Sequence, residues 1–317
     1  MKTQVSTASG LSKWFMELGQ EIKNHKFIYI ISIPVLLYYA LFYIQPIYGL
    51  LIAFKDYSFA KGIWESAWAD NHGFEHFIAF LRDPYFLRIL GNTLAISVLG
   101  LIFDFPAAII LALMINEIRS SKYKKVVQSC TYLPHFISLM VLCSMVTTFV
   151  SKDGVVNDFI AFFGGERSNL LVRPEMFRPV FIISGIWQNI GWNSIIYLSA
   201  LSAIDMQLYE AASIDGAGKI KQIIHVTLPG ILPTITIMFI MRTGTLLSVG
   251  YEKILLLYND MTLQTADVIS TYVYRQGLLN ANYSYSAAVG MFNSVVNLII
   301  LVSVNLLCRK LNETSLW

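Results

Sequence analysis

The chain has 317 residues, 56% of them hydrophobic and 14% charged, with a mean hydropathy of +0.58. That is more apolar surface than a water-soluble domain can bury, so lipid must solvate much of it. Net charge is +3 from 23 Lys and Arg against 20 Asp and Glu, with no basic run long enough to neutralise a phosphate backbone, which excludes nucleic acid as an expected partner.

In chain order, residues 1–26 read as a cytoplasmic N-terminal segment. The apolar run that begins near Phe27 exceeds the core of a signal peptide and is not followed by a small-residue cleavage pattern, so it is expected to stay as an anchor. A hydrocarbon core of about 30 Å needs about 20 apolar residues in a spanning helix. Six stretches reach that length: 27–54, 89–115, 129–150, 179–201, 231–250 and 286–308. They predict a six-helix transmembrane domain over 27–308 and a cytoplasmic tail over 309–317. Backbone polar groups find no water inside a bilayer, so long apolar runs must be helical, and the alternation of a β-barrel is absent from the sequence. The fold class is all-α, a polytopic membrane protein.

Six spans place both termini on one side. With the N-terminus inside, the inner side holds 12 Lys and Arg, including the short cluster Arg119, Lys122, Lys124 and Lys125, while longer outer loops hold 10. Short loops dominate topology, so the expected orientation is N-in and C-in. The outer loops, 55–88, 151–178 and 251–285, carry many aromatics, among them Trp64, Trp68, Phe162 and Phe163, which read first as an interfacial belt and second as a docking surface. Pro134, Pro229 and Pro233 lie near span starts, where a missing N–H costs little, whereas Pro34, Pro46 and Pro106 lie inside apolar runs and are candidate kinks.

Two charges stand inside the spans, Asp104 in the second and Arg242 in the fifth. They either pair to hold the bundle together, the favoured reading, or face a hydrated cavity. The fourth span holds Trp187, Gln188, Asn189, Trp192, Asn193 and Tyr197, and helical spacing puts 189, 192, 193 and 196 on one face. Aromatic planes beside amides suit pyranose rings, with apolar C–H faces and outward hydroxyls. Ordinary helix packing uses the same residue types, so both readings stand. Tyr251 and Glu252, after the fifth span, are further candidates for the route.

Between the fourth and fifth spans, 205–229 reads as helix, turn, helix, stop: Asp205 as N-cap, Gly216 and Gly218 at a sharp turn, Pro229 ending the second piece. Small Ala211 and Ala212 permit close approach, and Glu210 and Asp215 offer acceptors to a partner's cations. On pattern alone, a polar helical loop that binds nothing is an equal alternative.

At these residues the sequence resembles the EAA loop of binding-protein-dependent ABC importer permeases. Glu210, Ala211, Ala212, Asp215, Gly216, Ala217, Leu228 and Pro229 match in order and spacing, with Val226 and Ile223 as apolar departures. The resemblance runs from about Asn92 to Arg309, a core permease domain of about 92–309, through Asn92-Thr93-Leu94, Tyr132-Leu133-Pro134, Trp187 and Trp192. It points to the sugar and oligosaccharide branch. It implies a type I importer bundle in a bacterial cell membrane, a second permease subunit in a heterodimer, and an extracellular solute-binding protein. It also implies an ATPase pair, holding ATP and Mg, whose groove receives the loop.

No Gly-rich phosphate loop ending in Gly-Lys-Ser/Thr is present in the sequence, so hydrolysis is expected in a partner and no cofactor in this chain. An ABC permease for a non-sugar solute is the first alternative. A secondary transporter, expected to show inverted repeats or broken helices, is the second. His72 and His76 lack a third ligand, Cys130, Cys143 and Cys308 share no metal-ligand spacing, and neither catalysis nor a metal is expected.

Overall fold

In the computed structural model, residues 20, 21, 23–312 and 314–317 are described. The N-terminal segment predicted over 1–26 lies mostly outside them. The described chain is helical throughout, and its one β contact is an isolated bridge between Lys55 and Trp68.

Ten elements carry the argument. They are α1 (Lys26–Phe54), α2 (Phe86–Asn116), α3 (Ser121–Tyr132), α4 (Leu139–Val150) and α5 (Pro174–Ser202), then α6 (Met206–Ile214), α7 (Lys219–Thr243), α8 (Tyr251–Leu257), α9 (Ile269–Tyr274) and α10 (Tyr283–Asn312). Among the described residues, five stretches are long and apolar enough to cross a membrane: α1, α2, Leu139–Phe162, α7 and Tyr283–Leu311. α5, at 29 residues, is about 43 Å long at 1.5 Å per residue, yet it falls outside that set because Gln188, Asn189, Asn193 and several serines dilute its apolar character.

Two predicted boundaries move. The run 129–150 is not one helix. A 3-10 turn over Leu133–Phe136 holds Pro134, and Ser138 starts α4 by accepting a hydrogen bond from the Val141 N–H at 3.4 Å. α3 before the turn carries Lys122, Lys124 and Lys125 and buries nothing, so the crossing stretch begins at Leu139. The helix expected over 231–250 stops at Thr243 and gives way to an irregular turn over 244–250.

Pro229 also behaves differently from the expected stop. A wide π-turn over Ile223–Thr227 precedes it, and the helix continues through it to Thr243. Proline leaves the carbonyl four residues back without its N–H and crowds it with its ring. A π-turn widens the backbone there. The same device, a π-turn over Ala40–Ile44, precedes Pro46 in α1.

α5 lies along α2 as the central helix pair, flanked by α7 and by the turn that begins at Leu133. Three apolar clusters fix it. Ile96, Leu142, Phe177 and Ile254 join α2, α4, α5 and α8, Phe80, Ile89, Leu247 and Val289 join α2 to α10, and Ala108, Tyr197, Leu201 and Ile231 join α2, α5 and α7. One crossing depends on a glycine: a Cβ on Gly191 would stand 2.1 Å from the Thr131 carbonyl oxygen, so only glycine lets α5 pass α3 at that distance. The last turns of α1, Tyr48–Phe54, pack on α10 and bury Ala53, whereas the apolar stretch before them stands bare, with none of its most apolar 18-residue window buried against 28% for α2.

Near the start of α2, Asn92 and Thr93 pin the segment leading into α9. The Asn92 amide donates to the carbonyls of Gln264 and Asp267, both at 2.9 Å, and Thr93 Oγ1 accepts from the Ile269 N–H at 3.0 Å. Asp267, 1% exposed, takes both arms of Arg275 at 2.9 and 2.6 Å. Burial opposes the Arg275 charge, but its bonds to Asp267 outweigh that and raise its pKa above the usual value.

Candidate functional site

The segment 205–229 forms a two-armed elbow. The Asp205 side chain accepts from the Gln207 N–H at 2.9 Å and caps α6 as its residue type predicts. At the other end Gly216 has a φ of +74, the left-handed conformation that glycine adopts without strain. The Ala217 N–H reaches the Ala212 carbonyl at 2.9 Å and the Gly216 N–H reaches Ser213 at 3.1 Å, the paired closure that turns a helix end sharply.

The second arm is the start of α7. Buried Gln222 donates to Ser213 Oγ at 2.9 Å and to the Ala217 carbonyl at 3.1 Å, and the Tyr209 hydroxyl lies 3.0 Å from Thr227 Oγ1. These bonds clamp α6 to α7, and because α7 runs on unbroken, the elbow is continuous with a spanning helix. Lys219 pairs with Glu117 at 3.0 Å, tying the elbow also to the end of α2. Sequence reading missed this clamp, because isolated polar residues in a polar loop carry no periodic signal.

Glu210, Ala211, Asp215, Gly216 and Pro229 are exposed, while Ala212, Ala217 and Leu228 are half-buried. The same elbow exposes large apolar side chains: Ile214 is 87% exposed, Ile220 74% and Met206 68%.

A second site lies inside the bundle. A cavity of about 380 Å³ is lined by residues of α2, α5, α7, α8 and the turn 244–250. Asn189 and Asn193 face it together with Gln188, Asp104, Arg242 and Lys253. Arg242 pairs with Asp104 at 3.3 Å, and the pair also lines the cavity, so the two roles weighed for these charges coexist. A smaller cavity of about 240 Å³ shares Asp104, Asn193, Arg242 and Thr245 and continues toward Tyr197 and Met238, which places the ion pair between the two spaces.

The other route candidates lie elsewhere. Trp192 stacks on His135 at 4.5 Å with the rings 5° apart, and His135 Nδ1 meets Asn189 Oδ1 at 3.0 Å, so Trp192 backs the cavity wall instead of lining it. Trp187 lines an apolar pocket against Val146 and Ile160. Tyr251 stacks on Tyr274 at 5.7 Å in a separate groove of about 510 Å³, and exposed Glu252 lines none of these spaces.

Lys253 is a correction. Counted by sequence among outer-loop cations, it is 8% exposed and points into the bundle, where its ammonium donates to the Phe181 carbonyl at 2.9 Å and sits over the Phe181 ring at 4.6 Å. The turn after Thr243 folds α8 back against α4 and hides it, a consequence no local pattern announces.

Comparison with known proteins bears on both sites. The model of the family described as "Binding-protein-dependent transport system inner membrane component" matches residues 104–313, which include the elbow and all of the cavity lining except Ile96, Ser97 and Gly100. The protein LplB of Bacillus subtilis (strain 168) is 41% identical over 93% of this chain and 92% of its own. The polygalacturonan/rhamnogalacturonan transport system permease protein YteP of the same organism is also 41% identical, over 93% and 91%. A solved chain of a bacterial alginate ABC transporter, in complex with an alginate pentasaccharide-bound periplasmic protein, is 42% identical, covers 94% of this chain and 99% of its own, and superimposes with a TM-score of 0.85.

Proposed function

The chain belongs to the family of binding-protein-dependent transport system inner membrane components, and from that premise we propose how this sugar ABC transporter permease is coupled and oriented. It is a multi-pass cell-membrane transport subunit, not an enzyme. Its elbow inserts into a separate ATPase subunit, one of a pair that holds ATP and Mg, with Glu210 and Asp215 facing the partner's cations and Ile214 filling an apolar pocket. Closure of that pair moves α7 directly, because elbow and span are one helix. α5 is the sixth span, its polar stripe turned inward, and both termini are cytoplasmic.

A second permease subunit covers part of the surface that α1 leaves bare, and an extracellular solute-binding protein delivers the sugar or oligosaccharide to the outer loops. Its route runs through the cavity beside Asn189 and Asn193.

One observation carries this reading. The elbow exposes acidic and large apolar side chains at its tip, yet is braced by buried hydrogen bonds and joined without a break to a spanning helix. Large apolar side chains held out beside acidic ones on a braced support suit a partner surface.

The test places a cysteine at Ile214 in a Cys130→Ser background, since Cys130 is the exposed native cysteine. In the assembled transporter it is expected to cross-link to the ATPase subunit, and in intact cells to resist a membrane-impermeant thiol reagent. Labelling from outside, or no cross-link to the ATPase, would defeat the proposal.

A further inference from the structure

The central cavity has an unusual charge balance. Arg242 and Lys253 supply two cations, and Asp104 is the single carboxylate among its lining residues. Asp104 is committed to Arg242 at 3.3 Å. No carboxylate lies within 4.0 Å of the Lys253 ammonium among the described residues, and one acceptor, the Phe181 carbonyl, meets its three N–H donors.

A buried cation without a counter-ion is costly, and such charges persist inside membrane bundles where something binds them. The cavity wall is tight beside Lys253. A Cβ on Gly185 would stand 3.3 Å from the Lys253 ammonium nitrogen, closer than an ordinary contact, so the glycine leaves that charged end clear. Gln188, Asn189 and Asn193 offer amides to hydroxyl groups in the same space.

We propose that this cavity is a carboxylate site selective for acidic sugars, in which Lys253 binds the acid group of a uronic-acid unit and the same group competes with Asp104 for Arg242. The proposal rests on the sugar-permease reading and adds the substrate's charge. One surplus positive charge matches one singly charged carboxylate, whereas a phosphate dianion would leave the site over-neutralised. Because the Asp104–Arg242 pair stands between the larger and the smaller cavity, a carboxylate that captures Arg242 also loosens the contact dividing the route. Neutral sugars lack the group that makes this exchange.

The test uses the whole transporter, with binding protein and ATPase, in proteoliposomes. The probes are a galacturonic-acid trisaccharide and the same trisaccharide with its carboxyls reduced to alcohols. Loss of a charge-assisted hydrogen bond predicts that Lys253→Gln lowers uptake of the acidic probe by about tenfold or more, and by several times more than uptake of the reduced probe, with assembly unchanged. Lys253→Arg, which keeps the charge, should restore most acidic uptake. Where wild type carries the acidic probe alone, the Arg rescue at unchanged assembly decides.

Acidic uptake that survives Lys253→Gln overturns the proposal. So does an equal loss of both probes or a loss of assembly, since either makes Lys253 a packing residue or a partner subunit's counter-ion. A wild-type transporter that carries neither probe but does carry a non-sugar solute refutes the sugar reading instead.

Discussion

In the elbow, Glu210 and Asp215 stand exposed and make no ion pair among the described residues. In the cavity Asp104 and Lys253 are withdrawn from bulk solvent, the first held by Arg242 and the second by a backbone carbonyl. The elbow places its polar brace inside, through Gln222 and Thr227, and its charges and isoleucines outside. The cavity reverses that order, with apolar clusters around it and charges in its lining. A hydrated carboxylate costs little to keep until a partner arrives, whereas a desolvated cation has to be compensated from the start. On the proposed reading, one region meets a protein and the other a small polar solute.

The sharpest way to break this contrast is charge reversal at the tip. Glu210→Lys should lower uptake by about 100-fold or more and uncouple ATP hydrolysis, because a like charge across a docking interface costs several kcal/mol. Membrane insertion and subunit yield should match wild type, since Glu210 makes no side-chain hydrogen bond or ion pair among the described residues. Unaltered transport would remove the elbow's role.

Next in size is a change that should damage the fold and leave the docking surface alone. Gly191→Ala puts a methyl group 2.1 Å from the Thr131 carbonyl oxygen, and overpacking of this kind costs about 1–3 kcal/mol. Folded subunit recovered from membranes should fall severalfold, with ATPase coupling intact in whatever assembles. Normal yield would mean that α3 shifts freely against α5.

The smallest expected effect sharpens the boundary of the cavity. Trp192→Ala removes the ring stacked on His135, a contact worth about 0.5–1.5 kcal/mol, and releases the wall that positions Asn189. Uptake should fall about fivefold with complex yield unchanged. Loss of assembly instead would assign Trp192 to packing.

The order of the elbow is readable because it is local. An N-cap at Asp205 and a left-handed glycine at 216 are decided by neighbours a few residues away. Pro229 misled because a proline's usual effect is to stop a helix, and the π-turn that carries the helix through it has no sequence signature. The third span misled for a related reason: hydropathy sums over residues and ignores the turn that Pro134 and Ser138 impose.

The sequence by itself determined the class of solvent, the helical backbone and the elbow, because apolar length and short-range capping are properties of contiguous residues. Tertiary structure alone decided which polar groups share a cavity. Asp104, Asn189, Arg242 and Lys253 come from four separate helices. Their meeting depends on how α2, α5 and α7 pack and on the turn that folds α8 inward. Charge compensation acts through space, so no reading along the chain could count Lys253 as anything but a loop cation.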